Sequence, residues 1–343
     1  MAVVATNALE QRNSPLGEQR QLLVNLEVNN SCKYTEVCGR TCYLNVIAPT
    51  GREPLPTEMI LSAARELIQR GDQVRHLVLP GKEVFESPEL LLRIVEEFHA
   101  ASPSSRPGDI SIITASGAGL RRHASRLADT PLGAVNISLD TPGSGLRSWR
   151  NNQPLLDAAM SLKEGGGTEM VGVNTVLTGR NLAAAIQIGN QLEGVGIDQL
   201  TFGPLLRPTD GRMEAVLSVQ QLREIIDRVT QEFAGSSLDI VFDLDLPLLH
   251  GLVEAPEVFT NGATRWRFEY ELPGAPNILL EAGNPQRGYF YRLDWAGQLM
   301  SKEDYRWIGR PGSYGEYVPG RIGALMGELA RLRAGAAPAT RGV

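Results

Sequence analysis

The chain has 343 residues, 42% hydrophobic and 21% charged, with a formal net charge of −6. That length suits one large α/β domain or two smaller ones, and the composition is that of an ordinary globular protein. An acidic balance gives no reason to expect nucleic acid, which calls for a basic patch. No apolar run approaches the ~20 residues of a membrane span, and "MAVVATNALEQRNSPLGEQR" lacks the basic-then-apolar order of a secretory leader. A cytoplasmic protein without a membrane partner is expected.

Residues 1–20 are polar and aperiodic and read as a flexible arm. "QLLVNLEV" is a strand that delivers the chain to Cys32. "TEMILSAARELIQRG" has helical spacing and a stop at Gly71, and "VRHLVLPG" is a strand. "SPELLLRIVEEFHAA" predicts a helix with Ser87 as its cap and Pro88 at the first position. "DISIITASG" and "GAVNISLDTPG" are further strands, separated by the helix "AGLRRHASRLAD". The alternation continues through "NQPLLDAAMSLKEGG", "TEMVGVNTVLTG", "NLAAAIQIGNQLEGVG" and "DQLTFGPLL", then "SVQQLREIIDRVTQEF" and "SLDIVFDLDL". Strands and helices alternating over short connections imply a parallel sheet with helices outside it, either a barrel or an open sheet. Beyond about Pro247, "WRFEYELP", "NILLEAG" and "GYFYRLDWAGQLMS" read as strands without crossover helices, followed by the closing helix "RIGALMGELARLRA". The expected organisation is an arm (1–20), a (βα) unit (21–246), a β-rich extension with its helix (247–333) and a frayed tail (334–343).

All three cysteines, Cys32, Cys38 and Cys42, fall within eleven positions, spaced Cys-x5-Cys-x3-Cys. An odd number with no partner elsewhere argues against a disulfide framework and for a reducing compartment. A structural zinc site usually takes four ligands in paired sets, and His76, His99, His123 and His250 are scattered. Three thiolates in one loop suit three irons of a [4Fe–4S] cluster, with the fourth iron open to an external ligand.

Three cysteines just after the first strand of a (βα) repeat resemble the radical S-adenosylmethionine superfamily. Other stretches fall in the family's order. "PGKEVFESPELL" places Gly81, Lys82 and Glu83 on its Gly-Gly-Glu-Pro motif after strand two. "ITASG", with Thr114, resembles its Thr-Asn-Gly at strand three, and "NISLDTPG", with Ser138 and Asp140, its Ser-Leu-Asp at strand four. "VNTVLTGRN", with Asn174 and Thr175, resembles the polar end of strand five. The resemblance covers about Leu22 to Pro208. It implies an α/β fold with a partial (βα)6-type TIM barrel, here carrying a small C-terminal β-rich extension. The cofactors it implies are a [4Fe–4S] cluster on Cys32, Cys38 and Cys42, together with S-adenosylmethionine. Two features depart from the family. Its usual spacing is Cys-x3-Cys-x2-Cys with an aromatic before the last cysteine, a place held here by Thr41, so Tyr43 is the aromatic expected against adenine. Lys82 stands where a second glycine is usual.

In a (βα) barrel the C-terminal strand ends share one face, and chemistry collects there. The resemblance then implies that Gly81 allows close backbone approach and that Glu83 accepts the methionine ammonium. It implies Ser138, Asp140 and Asn174 against the ribose, and Arg147 or Arg150 paired with the carboxylate through its guanidinium fork. The resemblance implies one-electron cleavage of S-adenosylmethionine to a 5′-deoxyadenosyl radical that removes hydrogen from a substrate. It also implies an electron donor such as flavodoxin or ferredoxin. With three cysteines, a single cluster is expected. "YRLDWAGQLMSKEDYRWIG" resembles the hairpin of auxiliary-cluster domains without its ligands and is expected to form a lid. Asp243 and Asp245, with Glu281 and Asp294, make an acidic set suited to a small polar substrate. A sugar or amino sugar in natural-product biosynthesis is the main expectation. A peptide or nucleotide substrate is the alternative, and a non-catalytic (βα) protein with a structural metal belongs to a different class.

Overall fold

The computed structural model describes residues 22–32, 53–104, 106–139, 149–178, 182–204, 217–244, 246–253, 267–283, 292–300 and 313–335. Seven parallel strands neighbour one another in chain order: β1 (Leu22–Leu26), β2 (Val74–Leu79), β3 (Asp109–Thr114), β4 (Leu132–Ser138), β5 (Thr168–Leu177), β6 (Gln199–Pro204) and β7 (Asp239–Leu244). The helices α1 (Thr57–Gln69), α2 (Pro88–Ala100), α3 (Gly117–Asp129), α4 (Trp149–Glu164), α5 (Leu182–Leu192) and α6 (Val219–Phe233) alternate with them. This is the expected α/β alternation, in a partial barrel whose sheet does not close.

The β-rich extension joins the same sheet, at both of its edges. After α7 (Leu246–Leu252), strands β8 (Arg267–Leu272) and β9 (Ala275–Gly283) form a hairpin whose second strand lies parallel to β7. Strand β10 (Arg292–Leu293) lies parallel to β1 at the opposite side, followed outward by antiparallel β11 (Gln298–Met300) and β12 (Ser313–Glu316). The stretch expected to form a lid is therefore, over 292–300, part of a sheet edge. The reason is a buried ion pair: Arg292 binds Glu27 at the end of β1, and the Trp295 N–H donates to Glu27 Oε2 over 3.3 Å.

Helix starts follow their local chemistry. Ser218 and Gln221 cap α6 reciprocally, and Ser116 accepts from the Gly119 N–H at the start of α3. Ser87 does precede α2 as expected, but its side chain makes no capping bond; the fixed φ of Pro88 starts that helix instead. The closing helix α8 (Arg321–Gly335) is tied to α1 through Glu66. Its Oε1 accepts from the Tyr317 hydroxyl (2.8 Å) and the Gly320 N–H (2.6 Å), and its Oε2 from the Gly323 N–H (3.4 Å).

The apolar core lies between the sheet and the helices. On β4 to β7 the residues facing the helices are apolar: Val135 and Ile137, Val171 and Val173, Leu200 and Phe202, Ile240 and Phe242. Alternation places the intervening residues on the opposite, concave face. Parallel strands buried on both sides read as continuous apolar runs. Here the concave face is largely polar, with small apolar pairs at Ala134–Met170 and Val241–Leu279. Among the described residues no helix is long and apolar enough to cross a membrane.

Candidate functional site

The C-terminal strand ends gather the site. Beyond β1 the chain runs alongside the loop after β2. Val28 N–H donates to Pro80 O (3.0 Å), Lys82 N–H to Asn29 O (3.4 Å) and Glu83 N–H to Ser31 O (3.1 Å). This zipper delivers Cys32, partly exposed, next to Gly81–Glu83. The side chain of Asn29 closes the contact: its Nδ2 donates to Glu83 O over 2.9 Å, and a Cβ at position 81 would sit 2.8 Å from its Oδ1. Gly81 is required by this close approach and not by a special dihedral. Lys82 is partly exposed, and Arg150 is a first-turn residue of α4. Cys38, Cys42, Tyr43, Asp140, Arg147 and Asp245 lie outside the described residues, as does the expected arm.

Glu83 is buried, and its carboxylate is the hub between β2 and β3. Oε1 accepts from the Thr114 hydroxyl (2.6 Å) and the Phe85 N–H (3.2 Å), and Oε2 from the Ala115 N–H (2.9 Å). Three donors on one buried carboxylate compensate its desolvation. Thr114 in turn accepts from the Ser116 N–H, which fixes the turn into α3.

On the concave face Ser138 and Asn174 are direct neighbours in register, with Thr201 beside them on β6. One step toward the N-terminal ends, Asn136, Gly172 and Gln199 form the next row. A Cβ on Gly172 would meet Asn136 Oδ1 at 2.3 Å, so Asn136 leans over the glycine. Farther along the sheet, Asp243 and Glu281 are paired in register on β7 and β9, both fully buried and on the concave side. Asp294 does not join them. Its Oδ1 accepts from the N–H groups of Ala296 (3.0 Å) and Gln298 (2.7 Å), so it holds the β10–β11 turn.

Deeper in the barrel, His76 Nε2 is 2.7 Å from Ser111 Oγ, and its Nδ1 is 3.9 Å from Asp109. Burial pushes its pKa down to about 3, so the ring is neutral at ordinary pH. His99 meets the Pro131 carbonyl, and His123 stacks on Phe85. Among the described residues no group of three His, Cys, Asp or Glu side chains gathers as a metal site.

Asn29, Glu27, Arg292, Asn136 and Gln199 were not indicated by motif. The polar residues at alternate positions of "GAVNIS" and "DQLTF" carried a signal for the last two. The Glu27–Arg292 pair joins residues far apart in sequence, and no local pattern announces it.

These features define a partial (βα) barrel with a cysteine at its mouth, and known structures share the fold. No family model matches the chain, and no curated protein matches it in sequence. The crystal structure of Streptococcus suis SuiB is similar over 89% of this chain and 64% of SuiB, with a TM-score of 0.56 and 14% identity. SuiB bound to S-adenosylmethionine matches over 86% and 61% with a TM-score of 0.54 and 16% identity; SuiB has also been solved with its precursor peptide SuiA. anSMEcpe with bound AdoMet and the Kp18Cys peptide matches over 90% of this chain and 80% of its own, with a TM-score of 0.53 and 13% identity. Both are radical S-adenosylmethionine enzymes. The chain spans less than two thirds of the length of SuiB, and what is shared at these identities is the fold.

Proposed function

We propose that this chain is a radical S-adenosylmethionine enzyme acting on a peptide. The observation that carries the reading is the backbone zipper from Val28 to Glu83. It sets Cys32 beside the Gly81–Glu83 loop at the C-terminal mouth, in the fold SuiB and anSMEcpe share. A partly exposed thiol at that mouth fits the donor chemistry of an iron–sulfur cluster, and Cys38 and Cys42 supply two more thiolates. When bound, the cluster supplies one electron for cleavage of S-adenosylmethionine. The chain's own residues do the binding and orienting. Gly81 leaves room for a close backbone approach, and Ser138 with Asn174 offers adjacent polar groups to the ribose.

The peptide class is favoured because SuiB and anSMEcpe are both known with peptides bound. The expected sugar or amino sugar keeps one observation, the register pairing of Asp243 with Glu281 on the concave face.

Anaerobic reconstitution tests the reading: about four irons and four sulfides per chain are expected, with release of 5′-deoxyadenosine and methionine on reduction. A chain that takes up zinc only, with no charge-transfer absorption, would end it.

A further inference from the structure

Within the concave face the carboxamides of Asn136, Asn174 and Gln199 stand together around Gly172, in two adjoining rows of the register. Five of their buried polar atoms, Asn136 Nδ2 and both polar atoms of Asn174 and Gln199, have no hydrogen-bond partner among the described residues. Asn136 and Gln199 are almost wholly buried. Folded proteins pair nearly all such atoms, and a concentration of exceptions in one place calls for an explanation. Apolar residues of the same face, Ala134 with Met170 and Val241 with Leu279, border the group. The sequence therefore keeps three amides where apolar side chains would fill the space without an unmet bond.

We infer that these carboxamides form a neutral polar well below the mouth that receives a side-chain carboxamide of the substrate. The unpaired atoms are three amide nitrogens and two amide oxygens, so the well offers donors and acceptors together and no net charge. An amide presents the complementary pair. A carboxylate or ammonium would lose its hydration there with no counter-charge among these three residues. Asn174, in the row nearer the strand ends, forms the rim between the ribose position proposed above and the well, and Gln199 and Asn136 read the far end of the substrate's carboxamide. The inference rests on the mouth being the substrate's entrance, as proposed above.

The test uses the full chain without reductant or S-adenosylmethionine, so it stands apart from the radical chemistry. The probe is a capped tripeptide amide with a central asparagine, followed by calorimetry and saturation-transfer NMR. The same peptide with aspartate, and glucosamine, are the comparators. The asparagine peptide is expected to bind at least tenfold more tightly than either, and to lose at least tenfold in Gln199→Met and in Asn136→Leu. The unliganded variants are expected to melt at or above the wild-type temperature, because they remove unmet polar atoms. Absence of binding, equal binding of the aspartate peptide or glucosamine, or unchanged affinity in the variants overturns the inference. So does a lowered melting temperature in Gln199→Met, which would mark these amides as paired with the protein itself. If amide binding fails while 5′-deoxyadenosine is still released, the well is wrong and the enzyme class stands; the reverse result separates the two in the other direction.

Discussion

The Thr114 hydroxyl donates to Glu83 Oε1 over 2.6 Å, bonding the end of β3 to the loop that follows β2. The sequence motifs offered the two residues separately, with Glu83 as the contact to the methionine ammonium. Their bond makes them a structural unit as well, because the carboxylate also collects the Ala115 and Phe85 N–H groups. Glu83→Gln turns a uniformly accepting group into one that sets an NH2 against another donor. It should destabilise the protein by about 2–3 kcal/mol even without cofactor, given what hydrogen bonds to buried charged groups contribute. Thr114→Val, which removes one donor, should cost about 1–2 kcal/mol. Urea denaturation of the unliganded protein measures both, and an unchanged midpoint for Glu83→Gln would remove it from the hub.

Gly81 is held by Asn29. In Gly81→Ala the new Cβ presses on Asn29 Oδ1, which must move and take the zipper toward Cys32 with it. Iron content after anaerobic reconstitution should fall at least severalfold. Adding Asn29→Gly to that variant removes the obstructing side chain and should restore part of the iron. If the double variant is no better than the single one, the contact does not govern the cysteine loop.

Cys32→Ala should abolish cluster assembly while leaving the far-ultraviolet circular dichroism intact, because the thiol is partly exposed and outside the apolar core. The same loss is expected for Cys38→Ala and Cys42→Ala. Full iron content in any one of the three would exclude that residue as a ligand.

His76 makes stability depend on acid. Its pKa in the folded protein is about 3, below the ordinary value of about 6.5. Between those two values the unfolded chain holds a proton that the folded chain lacks, so stability falls as pH is lowered through that window. The slope from this residue is about 1.4 kcal/mol per pH unit. Nothing from this group is gained or lost above about pH 6.5. His76→Gln keeps a polar neighbour for Ser111 and should flatten the profile between pH 6 and 4. Equal slopes in the two proteins would show that His76 is not held neutral.

Glu66→Ala removes the carboxylate that accepts three hydrogen bonds, from Tyr317, Gly320 and Gly323, around the start of α8. Amide exchange over the first turn of that helix should quicken tenfold or more, equivalent to about 1.4 kcal/mol of lost local stability, while the parallel strands stay protected. Faster exchange throughout the sheet would instead make the helix part of one cooperative unit.

The alternating elements were legible because 3.6- and 2-residue periodicities are local, and the position of Cys32 a few residues beyond β1 followed from them. Gly81, Glu83, Thr114, Ser138 and Asn174 were named from motif order alone, and the structure brings Glu83 to Thr114 and Ser138 to Asn174. The role of Asp294 was not legible, since a carboxylate that binds two turn N–H groups looks the same in sequence as one that binds a ligand. Asn29 was missed for a similar reason: its task is to meet a glycine more than fifty residues away. The destination of β9 and β10 depends on which sheet edges remain open, and strand propensity does not encode that.

Those two strands carry a consequence for the shape of the opening. Gly283 ends β9 and Arg292 begins β10, yet β9 borders β7 and β10 borders β1, on opposite flanks of nine parallel strands. Laid flat, those strands would separate the two flanks by about 38 Å. The eight residues between Gly283 and Arg292, fully extended, reach at most about 32 Å. A planar sheet is therefore forbidden by chain length alone, before any packing is considered. The end of β9 and the start of β10 must therefore stay within that reach of each other, which limits how far this half-barrel can open.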